Sequence, residues 1–263
     1  MRILGIDSST LVAGIAVVDE TRVILEGFLQ TRKMHSERLL PLIDTWLRQA
    51  ELDLAELDGI AVTIGPGSFT GLRIGIATAK GLAQGAGKPL AGVPTLDAMA
   101  LNLAGCSGLI CPILDARKGE VYTAIYCSPA PDQVWRLSEY QAIAPHSLWS
   151  HLAREVWPGP IEPVDVTGRR AEPSAPLAPG RPVTFLGDGV AVYWEEIVRE
   201  LGSRAYRALP GQNWPRAAQV AFLGLERLRV GGAPSLFEIT PAYVRPSEAE
   251  VKKSLKEKAD KAE

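Results

Sequence analysis

The apolar positions of this chain fall into short continuous runs and helical repeats that alternate along its length. Residues 2–8 form an apolar run that ends in Asp7-Ser8-Ser9-Thr10. Residues 13–19 and 22–29 are rich in Val, Ile and Leu, and the polar turn Asp19-Glu20-Thr21 between them predicts a hairpin. Leu39, Leu40, Ile43 and Leu47 recur at helical spacing. They predict a helix over 36–50 with Ser36 as its N-cap and Pro41 in its early turns. A β-branched strand at 59–64 leads into a Gly-rich loop, followed by a helix over 70–86, a strand at 90–93 and a helix over 95–104. The order βββαβαβα predicts an α/β fold: a mixed sheet with helices on its faces.

The pattern then restarts. An apolar strand at 109–114 and a turn at 115–119 precede a run at 121–127 that pairs back, and 134–143 predicts a third strand. This second meander reads as a degenerate repeat of the first unit. Residues 157–182 hold seven prolines and read as a long surface insertion. A strand at 183–186, the turn Gly187-Asp188-Gly189 and helices over 190–201 and 215–230 follow. The last seventeen residues carry five lysines and five acids, a solvated tail. The expected organisation is a first unit at 1–107, a second at 108–245 and a charged tail at 246–263.

Composition narrows the function classes. The 263 residues are 46% hydrophobic, enough for a sizeable core. A net charge of −2 argues against gripping nucleic acid through the chain's own charge. Cys106, Cys111 and Cys127 lack zinc spacing and read as buried thiols in a reducing compartment. The N-terminal run is too short for a signal peptide and no stretch approaches a membrane span, so the expectation is a cytoplasmic protein.

The candidate chemistry is thin. His146 and His151 are not at i,i+3 or i,i+4 spacing, His35 beside Ser36 reads as a helix-start residue, and no serine sits in a G-x-S-x-G elbow. Neither a metal site nor a catalytic triad is expected. Ser8 and Ser9 could offer side-chain and backbone donors to a phosphate and Asp7 could hold a metal-bound water, or the three could cap a tight hairpin. Gly65-Pro66-Gly67-Ser68-Phe69-Thr70-Gly71-Leu72-Arg73-Ile74-Gly75 lacks the lysine of a Walker A loop and the spacing of a dinucleotide fingerprint. It could still present amides to an anion at a helix start. Gly71, Gly75, Ala79 and Ala83 repeat every four residues, a stripe of small side chains that predicts close approach of the sheet, a neighbouring helix or a partner.

Ile3 to Thr10, His35-Ser36-Glu37 with Leu40-Pro41, and the string from Gly65 to Gly75 together resemble the bacterial TsaB family. Tyr193 after Gly187-Asp188-Gly189 and the late Pro241-Ala242-Tyr243-Val244-Arg245 are similar too, and the resemblance covers about 1–245. It implies the actin/Hsp70-like superfold, with two βββαβαβα units. It implies a non-catalytic subunit that pairs with its paralogue TsaD, which transfers a threonylcarbamoyl group to an adenosine beside the tRNA anticodon. The ATPase TsaE joins that complex, tRNA is met mainly through it, and the subunit self-associates when TsaD is absent.

TsaD-type enzymes carry a His-x-x-x-His pair that would fall here on Thr95 and Met99, neither of which replaces imidazole. The family's interface maps onto Ser36, Leu39, Leu40, Ile43, Leu47, Thr70, Gly71, Arg73, Ile74, Gly75, Thr78, Ala79 and Leu82. On this reading Gly75→Leu abolishes TsaD binding and leaves a folded monomer. Asp7, Ser8, Ser9, Gly65, Gly67, Ser68, Gly187, Asp188 and Gly189 would line a vestigial nucleotide cleft, with ATP or magnesium bound weakly at most. The alternatives are a weak ATPase or phosphotransferase of the same superfold, and a metallopeptidase, which the missing histidine pair disfavours.

Overall fold

The N-terminal apolar run becomes the central strand of a sheet. In the computed structural model, which describes residues 1–30, 38–155, 163–167, 179–231 and 234–244, β1 (Ile3–Asp7) is buried along its whole length. It pairs antiparallel with β2 (Val12–Val18) and parallel with β4 (Gly59–Gly65). β3 (Val23–Gln30) lies beyond β2 and β5 (Leu90–Pro94) beyond β4, giving the order β3-β2-β1-β4-β5. His35, Ser36 and Glu37, Arg245, the tail at 246–263 and most of the proline-rich stretch lie outside the described residues.

Alternation along β1 decides what covers each face. Leu4 and Ile6 pack with Leu39, Ile43 and Leu47 of α1 (Leu39–Gln49) and with Ile76, Ala79 and Ala83 of α2 (Phe69–Ala86). The first described turn of α1 contains Pro41, where a helix has no N–H bond to lose. Ile3 faces the opposite way, onto Ala217, Ala218 and Ala221 of α6 (Ala217–Gly231). That helix lies very close: a Cβ on Gly5 would fall 2.2 Å from the Ala217 carbonyl oxygen. The last described segment, 234–244, also returns to this sheet; Ile239 joins its core and the Ala242 amide donates to the Ile64 carbonyl at 2.7 Å.

The second sheet repeats the first in topology. β6 (Leu109–Arg117) pairs parallel with β12 (Val183–Leu186), which pairs parallel with β13 (Ala205–Arg207). On its other side β6 pairs antiparallel with β7 (Glu120–Thr123) and β8 (Tyr126–Ala130). The pairs Ile113↔Thr123 and Leu109↔Cys127 lie in one register, so β7 and β8 are halves of one strand. The break falls where the Ile125 amide leaves the ladder to donate to Ser138 Oγ at 2.9 Å.

The strand expected over 134–143 is split for the same reason. β9 (Gln133–Arg136) pairs with β8, β10 (Gln141–Ile143) pairs with β7, and the intervening residues bulge out of register. A short β11 (Val164–Asp165) borders β9. In both sheets the central strand has an antiparallel meander on one side and two parallel strands on the other, the arrangement of the actin/Hsp70-like superfold.

α4 (Pro145–Arg154) and α5 (Gly189–Leu201) cover one face of the second sheet through Leu148, Trp149 and Ile197. α3 (Thr95–Leu101) covers the other through Leu96, Met99 and Ala100. It is three residues shorter than its sequence predicts. From Asn102 the amides bond three residues back, and the Asn102 side chain donates to the carbonyls of Gln212 and Trp214. Among the described residues, no helix is long and apolar enough to cross a membrane.

Candidate functional site

The Gly-rich loop is where two segments far apart in sequence press backbone against backbone. β4 ends at Gly65, whose φ of 118° favours glycine. A Cβ on Gly67 would meet the Ser9 carbonyl oxygen at 2.3 Å, and the Ser68 amide donates to that oxygen at 2.7 Å. Ser68 then caps α2, its Oγ accepting from the Gly71 amide at 3.2 Å. Ser8 Oγ donates to the Gly71 carbonyl at 2.8 Å.

The small-residue stripe serves this contact. A Cβ would lie 2.0 Å from the Ser8 carbonyl oxygen at Gly71 and 2.2 Å from Ser8 Oγ at Gly75, and Ala79 and Ala83 continue along the same buried face. The neighbour that approaches closely is therefore the chain's own 8–9 turn and sheet. Gly75→Leu cannot leave the monomer undisturbed, because its side chain would be built into Ser8 and Val62.

The remaining groups expected around a nucleotide are bonded internally. Asp7 Oδ1 accepts from the Ser9 amide at 3.1 Å, from Ser9 Oγ at 2.6 Å and from Thr63 Oγ1 at 2.8 Å. Asp7, Ser8 and Ser9 are fully buried. In the second turn, a Cβ on Gly187 would meet the Ile113 carbonyl oxygen at 2.2 Å, and the Gly187 amide donates to Asn213 Oδ1 at 3.3 Å. Gly189 packs on the same Ile113 carbonyl. Asp188 accepts from the Asp115 amide at 2.9 Å, and burial pushes its carboxyl above the ordinary carboxylate value. A phosphate bound through these atoms would have to displace these bonds. Among the described residues, no three His, Cys, Asp or Glu side chains converge on a point that could hold a metal ion.

The outer face of α1 and α2 has the opposite character. Of the residues mapped to an interface, Leu39, Ile43, Leu47, Gly71, Gly75 and Ala79 point inward and are buried. Leu40 is 51% exposed, Thr70 and Arg73 are exposed, and Ile74, Thr78 and Leu82 are half-buried. A cavity of about 810 Å³ opens here, with Leu40, Pro41, Leu52, Leu54 and Leu82 among its walls, together with the ion-paired Asp44 and Arg48. A second row of small residues, Ala77, Gly81 and Gly85, lies on the exposed side of α2, and a Cβ on either glycine would meet nothing within 4 Å. Its four-residue spacing was available in the sequence, two positions over from the buried stripe.

Two clusters were not assembled from the sequence, although Phe69 and Arg73 of the second lie four residues apart in the Gly-rich string. Asp97 of α3 is 2% exposed and accepts from Tyr126 Oη at 2.9 Å and from Tyr140 Oη at 2.8 Å. Arg227 of α6 pairs with it at 3.5 Å and also donates to the Gly92 carbonyl. The carboxylate thus ties α3 to the second sheet and to the helix behind the first. Thr95 and Met99, which flank it, are fully buried. The second cluster joins Phe69, Arg73 and Tyr243 at the start of α2.

Comparison with known proteins agrees with this architecture. The family model described as TsaD, tRNA N6-adenosine threonylcarbamoyltransferase, matches residues 29–253. The tRNA threonylcarbamoyladenosine biosynthesis protein TsaB of Bacillus subtilis is 32% identical, covering 96% of this chain and 97% of that protein. The TsaB protein of Escherichia coli is 38% identical over 54% of this chain and 62% of that protein. Among solved structures, a Pseudomonas aeruginosa protein described as similar to peptidase YEAZ superposes with a TM-score of 0.70 at 24% identity, over 93% of this chain and 99% of that one. That match establishes the shared fold, and the near full-length identity to the Bacillus protein establishes the family: the chain belongs to the TsaB family of tRNA threonylcarbamoyladenosine biosynthesis proteins.

Proposed function

We propose that this chain is a non-catalytic subunit of the threonylcarbamoyladenosine machinery, which binds and activates TsaD through the outer face of α1 and α2. The observation that carries the reading is a contrast between neighbours. The loops that would hold a nucleotide are bonded to each other, with Ser8, Ser9 and Asp7 buried. The adjoining α1–α2 face instead leaves Leu40 exposed beside an apolar groove. Exposed apolar surface next to polar residues is what a protein interface needs.

The rest of the assembly follows from this reading. TsaE joins the TsaD complex, tRNA is met mainly through that complex, and without TsaD the same face pairs with a second copy. Its place is the cytoplasm, with the tRNA. We also propose that the unit borders follow packing, with α6 and 234–244 grouped with the first sheet. The reading is tested by co-elution of the purified chain with TsaD, alongside titration of the isolated chain with ATP and magnesium. Co-elution with no micromolar nucleotide binding supports it. Nucleotide binding without co-elution overturns it in favour of an ATPase.

A further inference from the structure

Three side chains fasten the last described segment onto α2. The rings of Phe69 and Tyr243 stack with centroids 5.3 Å apart and planes 24° from parallel. The Arg73 guanidinium lies 3.8 Å over the Phe69 ring, and its Nε donates to Tyr243 Oη at 3.1 Å. Both rings stay at the surface, Phe69 41% and Tyr243 39% exposed. Among the described residues, the two terminal amino groups of Arg73 make no hydrogen bond.

A guanidinium held against a ring with its outer fork open suits an acceptor with two coplanar oxygens. The ring fixes its orientation beforehand, so little side-chain freedom is lost on binding. Leu82, which lines the groove, is nine residues and about two and a half turns further along α2, so Arg73 and Leu82 stand on opposite flanks of the exposed side of the helix with Thr70, Ala77 and Gly81 between them. Arginine and aromatic residues beside apolar surface make the composition of an interface hot spot. An RNA backbone is bound through several cations together, whereas the exposed neighbours of Arg73 are Thr70 and Ala77 and the one further cation of α2 is the half-buried Lys80, about two turns on.

We infer that Arg73, held by Phe69 and Tyr243, is an anchor for a carboxylate on the protein that docks on the α1–α2 face. The inference rests on the interface reading above. It also brings the C-terminal segment, through Tyr243, into the docking surface.

The test measures affinity of the full chain for TsaD, and retention of tRNA by the complex, with Arg73→Lys, Arg73→Glu and Leu82→Glu. The expected result is a loss of about tenfold for Arg73→Lys, since lysine keeps the charge and loses the fork and the stacking, and a larger loss for Arg73→Glu. The gap to the wild-type chain narrows as salt is raised. If both Arg73 variants bind TsaD like the wild type while Leu82→Glu does not, the anchor is refuted and the docking face stands. If all three bind unchanged, the docking face itself is wrong. If Arg73→Glu leaves TsaD affinity intact and loses tRNA, the acceptor is a phosphate and the inference fails.

Discussion

Ser8 and Gly71, sixty-three positions apart, are joined by a hydrogen bond of 2.8 Å from the serine hydroxyl to the glycine carbonyl. The bond draws α2 onto the 8–9 turn, and only glycine fits where the two backbones meet. It also occupies the Ser8 hydroxyl. Contact with Ser8 thus explains the two glycines of the stripe, Gly71 and Gly75.

The two glycine rows of α2 should respond oppositely to alanine. Gly71→Ala and Gly75→Ala place a methyl against Ser8 and should destabilise the chain by about 1–3 kcal/mol through overpacking. Gly81→Ala and Gly85→Ala meet nothing and should stabilise it by up to about 1 kcal/mol each through helix propensity. Urea unfolding midpoints of the four variants test the contrast. Equal effects in both rows would show that the contact with Ser8 does not set the requirement for glycine.

Leu40→Glu should leave stability within about 0.5 kcal/mol of the wild type, because the side chain is 51% exposed. It should abolish co-elution with TsaD by placing a charge in the groove. A thermal melt and a co-elution run on the same preparation separate the two effects. A variant that melts normally and still co-elutes would remove Leu40 from the interface.

Stability should depend on pH through Asp97. Burial outweighs the favourable effects of Arg227, Tyr140, Tyr126 and Arg136, so its carboxyl is held above the ordinary value of 3.8. The folded chain then binds a proton more readily than the unfolded one. This contribution is fully present below the ordinary carboxylate value and is lost as pH rises through the folded one. The stability of the wild type relative to Asp97→Asn should therefore fall as pH climbs from about 4 towards 7. Paired urea titrations across that range read the slope, and a flat difference would contradict a raised Asp97.

Much of the fold was legible because it is written locally. The apolar run at Ile3–Asp7, the helical spacing of Leu39, Ile43 and Leu47, and the second meander each carry their own periodicity. What failed was non-local. The strand over 134–143 breaks because the Ser138 hydroxyl takes the amide of Ile125, a pairing that no period reveals. The stripe on α2 announced close approach without naming the neighbour, since Ser8 belongs to another element. The Asp97 cluster draws on Tyr126, Tyr140 and Arg227, spread over 130 positions. A tyrosine or arginine in isolation signals none of this.

The most direct test of the account is reconstituted threonylcarbamoylation of tRNA by TsaD and its activated substrate, with this chain present, absent, or carrying Leu40→Glu. The account predicts no turnover by this chain alone, strong stimulation of TsaD by the wild-type chain, and loss of that stimulation with Leu40→Glu. TsaD turning over equally well without this chain, or modification by this chain without TsaD, would contradict it.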